Sequence, residues 1–203
     1  NSEIWLGYRN SAVYMLLGTS INLLMTTAGA YPLSRKDFVG RNVLTFYYSF
    51  TMFFGGGLIP YFLVLKQIGL INNLWTMIVP GAVSVYNMIV MRTFFQTNIP
   101  GELEEAAMID GCTNFKLILN VVLPLSAPII AVMSLYYGVG HWNSYFHAMI
   151  FLNDRARFPL QLILREILIK NEMASMLQIV TDDKYAERMM SQMGLKYVVI
   201  IVA

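Results

Sequence analysis

Four long stretches of this chain carry no Asp, Glu, Lys or Arg: Asn10–Ser34, Asn42–Leu65, Gln67–Met91 and Leu117–Asn153. A helix that crosses hydrocarbon needs about 20 mostly apolar residues, so each of the first three can hold one span. The fourth holds one span with room for a re-entrant piece. The composition agrees, with 57% hydrophobic and 13% charged residues and a mean hydropathy of +0.55; soluble domains carry about 25% charged residues. The runs are too long and too evenly apolar for barrel strands, which alternate. In lipid the backbone groups must pair within the segment, which selects helices. The expected fold is an all-α polytopic membrane protein, with complete spans at about 10–32, 43–65, 74–95 and 121–151 and a fifth from 197 onward. Because it starts at Asn1 without a Met and stops inside "YVVIIVA", the chain reads as a single domain, 1–203, truncated at both ends.

The connections set the expected orientation. "SRKDFVGR" holds Arg35, Lys36 and Arg41 beside a span, which places it in the cytoplasm by the positive-inside rule. "KQIGLINN" has one Lys and belongs outside. One more crossing returns residues 98–116 to the cytoplasm, and another puts the loop 154–196 outside. That loop holds seven basic and six acidic residues, so its own charge orients it weakly. Within it, residues 158–170 ("FPLQLILREILIK" and its neighbours) form an amphipathic helix, either interfacial or re-entrant in the outer leaflet, or packed on the other spans.

Several function classes are disfavoured. The net charge is +2 and the basic residues are scattered rather than striped, so no nucleic-acid partner is expected. Cys112 is the single cysteine, which excludes an internal disulfide and a Cys-based metal site. His141 and His147 are six residues apart and fall on different helix faces. Neither a metal site nor a nucleophile–base pair is visible. No Asp, Glu, Lys or Arg lies mid-span, which argues against a proton or sodium relay.

The remaining anomaly is "ELEEAAMIDG", residues 102–111. It packs Glu102, Glu104, Glu105 and Asp110 into one short segment of a chain with twelve acids in all. Pro100 suits the first turn of a helix, and the glutamates near its start meet the positive end of the helix dipole. Gly111 suits a helix stop and Thr113 a cap for the next helix. Ala107 and Gly111 are four apart on a small-residue face, and Leu103, Met108 and Ile109 offer apolar contact. Such a helix suits docking in a partner's groove; the alternative is a capped connector with a solvated face.

"EEAAMIDGCTNFKLILNVVLP" resembles the EAA signature of permease subunits of binding-protein-dependent ABC importers. Glu105, Ala106, Ala107 and Gly111 match its first half, and Val121, Leu123 and Pro124 its second, with Val121 where Ile is commoner. "NSAVYMLLGTSINLLMTTAGAYPLSR", "GGGLIPYFLVLKQIGLINNLW" and "HWNSYFHAMIFLND" look like matching segments of carbohydrate-importer permeases. The likeness is to the subunit of the maltose-permease type without the large extra loop, and to the branch that handles complex oligosaccharides.

This resemblance implies a type I ABC importer transmembrane domain (MetI-like). Glu102, Glu105, Ala106, Ala107, Asp110 and Gly111 would form a coupling helix seated in an ATPase cleft. The implied partners are a second homologous permease, two ATPase subunits, an extracytoplasmic solute-binding protein, a carbohydrate substrate and membrane lipid. No cofactor belongs to this chain: G-x-x-x-x-G-K-[ST] is absent from the sequence, so ATP and Mg fall to the ATPase and the chain is not expected to be an enzyme. A permease for a non-sugar solute, or a motor-independent secondary transporter or channel, remains the alternative.

For the substrate path, Trp142, Asn143, Ser144 and Tyr145 offer aromatic faces and hydrogen-bonding groups, and Asn87 is a further candidate beside Tyr86. An interfacial aromatic belt and helix–helix hydrogen bonds would explain the same residues. Gly55–Gly57 with Pro60 breaks regularity inside a span, as a hinge or a packing site, and Pro124 and Pro128 bend the start of another.

Overall fold

The computed structural model describes residues 2–178. The fifth span expected from 197, and the part of the expected outer loop beyond 178, lie outside the described residues. Within them every regular element is helical and none is a strand. In chain order these are α1 (Ser2–Ser34), α2 (Arg41–Phe53), α3 (Leu58–Gln67), α4 (Val85–Asn98), α5 (Gly101–Ile109), α6 (Asn114–Leu117), α7 (Leu123–Leu125), α8 (Ala127–Trp142), α9 (Tyr145–Phe151) and α10 (Leu160–Gln178).

α1 is the hub and packs against α8, α4 and α10. Its 33 residues span about 50 Å, more than the roughly 30 Å of hydrocarbon. Its buried face runs Gly7, Ser11, Gly18, Asn22, Thr26 and Ala30, a small or polar residue at nearly every fourth position, while Leu16, Leu24 and Met25 are exposed. Between helices in lipid, close backbone approach and polar contacts replace the hydrophobic drive, and this face supplies both. A Cβ at Gly18 would run into the His141 ring of α8. The Thr26 and Tyr137 hydroxyls meet at 2.6 Å.

An apolar cluster fills the half of the bundle near the end of α1: Ala30, Tyr31 and Leu33 pack with Met88, Met91 and Phe95 of α4 and Met133 and Tyr137 of α8. A second cluster, Tyr14 with Met77, Ala148, Leu152 and Leu162, lies toward the start of α1. α10 begins against α1 with Leu160, Leu162, Ile163 and Leu164 buried, so the start of the 158–170 segment is packed on the other helices.

Three of the four expected spans are not single helices. The 43–65 segment is broken at Phe54–Gly57 into α2 and α3, which meet at 114°. The 121–151 segment turns by 81° between Leu125 and Ala127, and breaks again before α9. Here Pro124 and Pro128 each lack the N–H that would bond four residues back; a π-helical turn, Ile118–Val122, absorbs part of the misfit upstream. The 74–95 segment opens as a 3₁₀ turn, Leu74–Met77, and becomes helical only at Val85, after Pro80-Gly81. The loosened backbone is satisfied by the hub: Asn22 Nδ2 donates to the Gly81 carbonyl at 2.8 Å. Non-helical backbone at membrane depth requires such protein partners. Only α1 is unbroken, long and apolar enough to cross a membrane among the described residues; two bent helix pairs pass the same length and composition test when each is taken together, as a broken span or a re-entrant loop.

Candidate functional site

The acidic segment forms α5 and its exit turn. Pro100 caps its start in an extended conformation, with ψ 132°, and Glu102 and Glu104 fall in the first turn. The helix ends where Gly111 takes φ +74°, a left-handed conformation that costs glycine little. The Gly111 N–H bonds to the Met108 carbonyl at 3.0 Å and the Cys112 N–H to that of Ala107 at 2.9 Å. This pair of bonds is the Schellman stop. Thr113 then caps α6, its hydroxyl accepting from the Lys116 N–H at 3.5 Å.

No residue of α5 is fully buried. Leu103 and Met108 are exposed, Ile109 is 86% exposed and Phe115, on α6, 71%. Glu102, Glu105, Ala106, Asp110 and Gly111 are exposed as well. Ala107 is half-buried against the main apolar cluster. The shared small face of Ala107 and Gly111 is therefore divided: Ala107 faces this chain's own core, while a Cβ at Gly111 would meet nothing within 4 Å. The constraint on Gly111 within this chain is its φ, and any steric demand comes from outside it.

Sequence reasoning missed the best-paired acid here. Glu104 Oε2 lies 2.9 Å from an Arg35 amino nitrogen, and both side chains are largely buried (20% and 11% exposed). Arg35 also donates to Asp37 with two bonds of 2.9 and 3.0 Å and to the Tyr31 hydroxyl at 3.2 Å. Hydrogen bonding from Arg35 holds the Asp37 carboxyl below its ordinary range. Burial pushes Glu104 upward and outweighs the attraction of Arg35, whose charge Asp37 shares. The sequence signal was present, since Arg35 and Glu104 both belong to segments placed on the cytoplasmic side. Their 69-residue separation hides the pairing. The "SRKD" turn and α5 together line a cleft of about 610 Å³ whose lining includes Arg35, Lys36, Arg41, Glu104 and Glu105.

The opposite end of α1 gathers the segments expected outside. The Asn72 side chain accepts from the N–H groups of Asn153 and Asp154 at 3.2 and 3.0 Å, and Arg155 pairs with Glu3 at 3.0 Å and Glu166 at 3.2 Å.

The substrate-path candidates do not assemble into one site. Trp142, Asn143, Ser144 and Tyr145 form the break between α8 and α9. Trp142 meets Tyr8 edge-on at 5.4 Å and packs beside Leu160 and Leu164. Asn143 Oδ1 accepts from Gln161 at 3.4 Å, Ser144 Oγ bonds the His141 carbonyl at 2.7 Å, and the Tyr145 ring lies 5.0 Å from the Arg165 guanidinium. Asn87 sits in the first turn of α4, next to Met88, whose sulfur lies against Gly29. Tyr8 and Gly29 are separated by roughly 30 Å along α1, so Asn87 and the 142–145 turn stand at different depths. Nε2 of His141 bonds Asn22 Oδ1 at 3.2 Å and Nε2 of His147 bonds the Tyr61 hydroxyl at 3.1 Å. Among the described residues, no group of three His, Cys, Asp or Glu could hold a metal.

Comparison with known proteins identifies the architecture. The family described as binding-protein-dependent transport system inner membrane component matches residues 4–202. A polygalacturonan/rhamnogalacturonan transport system permease of Bacillus subtilis (strain 168), YtcP, is 46% identical over 159 residues, covering 78% of this chain and 55% of that protein. LplC of the same organism is 39% identical over 188 residues, covering 93% and 62%. This chain thus spans a little over half the length of these relatives. Among solved structures, a bacterial ABC transporter involved in the import of the acidic polysaccharide alginate superposes over 100% of this chain and 74% of its own, with a TM-score of 0.80 and 28% identity.

Proposed function

This chain belongs to the family of inner membrane components of binding-protein-dependent transport systems, and from that premise we propose that it is a multi-pass permease subunit of an ATP-driven carbohydrate importer. The cargo is an oligosaccharide; the relatives' names support a carbohydrate, giving polygalacturonan/rhamnogalacturonan for one and the acidic polysaccharide alginate for another. It crosses the cytoplasmic membrane by alternating access, together with a second homologous permease. Two separate ATPase subunits bind ATP and Mg and supply the work, so this chain is not itself an enzyme. An extracytoplasmic binding protein delivers cargo at the end that carries Asn72 and Arg155.

The observation that carries this reading is the set of exposed apolar side chains at α5 and α6. Leu103, Met108 and Ile109 of α5 and Phe115 of α6 are exposed on either side of a sharply defined stop, and no residue of α5 is fully buried. A helix of this kind gains its burial from a groove in another protein, here the ATPase. Glu102, Glu105, Ala106 and Asp110 frame the docking element, and Gly111 sets its end.

Gly111→Asp is the test. An L-residue at φ +74° is strained, and the added carboxylate enters the docking surface. Insertion of the subunit should survive, because the spans are untouched. The ATPase should fail to co-purify, and ATP hydrolysis stimulated by the binding protein should be lost in reconstituted membranes. Wild-type behaviour in both assays would remove α5 as the docking element. A secondary transporter would tolerate the change.

A further inference from the structure

We propose that Arg35 is a positioning residue that fastens α5 to the end of α1, so that a pull on the docking helix is delivered to the hub of the bundle. This inference rests on the permease reading above. It starts from the poverty of α5's other attachments. No α5 residue is fully buried, and Ala107 is its half-buried contact with the main apolar cluster. Against that background stands an ion pair whose two side chains are among the less accessible at this end: Glu104 of α5 and Arg35, the residue that follows α1, at 2.9 Å.

Arg35 is itself held from three directions. Asp37 takes two of its N–H groups, the Tyr31 hydroxyl takes another, and the Tyr31 ring lies 6.0 Å from the guanidinium carbon. Tyr31 belongs to α1 and is buried in the main cluster. A planar guanidinium with five donors can serve all these partners at once; a lysine ammonium on a flexible stem cannot hold the same geometry. The end of α1 is in turn tied to α4. Arg92 Nε donates to the Leu33 carbonyl at 2.9 Å and Gln96 to that of Ser34 at 3.3 Å. These bonds satisfy carbonyls that the helix end leaves open. α4 continues into α5 through Ile99 and Pro100. The end of α1, α4 and α5 therefore close a mechanical triangle: hydrogen bonds join the end of α1 to α4, continuous chain joins α4 to α5, and Arg35–Glu104 closes the third side. Without that side, α5 is a lever hinged at Pro100.

The test uses the full-length permease assembled with its partner permease, ATPase and binding protein in proteoliposomes, reading sugar uptake and ATP hydrolysis together. Arg35→Gln and Glu104→Gln should each lower the sugar moved per ATP hydrolysed by about fivefold or more, the lower range of measured site-to-site couplings, while hydrolysis continues. The double variant should be no worse than either single one, because one joint is lost in all three. Arg35→Lys should recover part of the coupling. Wild-type sugar per ATP in Glu104→Gln, or losses that simply add in the double variant, would overturn the proposal. Should Arg35→Gln fail to insert, Glu104→Gln alone decides, since it alters a helix outside the spans. A wild-type complex without ATP-dependent uptake would instead remove the permease reading, and this inference with it; uptake in the wild type with unaffected variants removes this inference alone.

Discussion

α1 and α5 invert each other's rules. α1 turns a stripe of small and polar residues inward, with Tyr14, Tyr31 and Leu33, and leaves Leu16, Leu24 and Met25 outside, because its surroundings are lipid and its neighbours belong to the same chain. α5 lies among polar groups, yet leaves Leu103, Met108 and Ile109 uncovered. The first helix finds its partners within the fold; the second leaves apolar side chains uncovered among the described residues, as the proposed docking requires. An exposed leucine on α1 therefore says little, whereas one on α5 points to a partner.

The contrast breaks most visibly at Gly18. Leucine there would drive into His141, so Gly18→Leu should destabilise the bundle by about 1–3 kcal/mol, the range for overpacking a filled core. Thermal unfolding in detergent measures this, and an unchanged midpoint would mean that α1 and α8 are not closely packed. A smaller effect is expected at Asn22, which bonds both Gly81 and His141. Asn22→Leu keeps the size, removes both contacts and should cost about 1 kcal/mol, since membrane hydrogen bonds are individually modest. If stability is unaltered, the loosened backbone near Gly81 has other support.

The last prediction changes no energy and sharpens the placement of α5. In a Cys112→Ser background, Val39→Cys, at a position 92% exposed, should react only with membrane-permeant thiol reagents in sealed cells. Ile68→Cys, 60% exposed, should react from outside. Outside labelling of position 39 would reverse the orientation and take α5 out of the ATPase's reach.

The bounds of α5 were largely legible. Pro100, Gly111 and Thr113 act within a few residues of themselves, so start, stop and cap could be placed from local chemistry. The spacing of the substrate-path candidates was not. Asn87 and Trp142–Tyr145 were grouped by residue type, and depth along the bundle, which separates them, follows from how α4 and α8 lie against α1.

The sequence alone determined that this is a helical membrane protein, because charge-free length is a property of composition. It also determined that a short acid-rich helix ends at Gly111, because capping is local. The tertiary structure decided the rest. Which four-residue stripe of α1 faces inward, where the spans break and how Gly81 is satisfied all depend on neighbours distant in the chain. The pairing of Arg35 with Glu104 is of the same kind. Of the four acids in residues 102–111, one is held by this chain while Glu102, Glu105 and Asp110 stay exposed. That division follows from which side of α5 packing turns toward the end of α1.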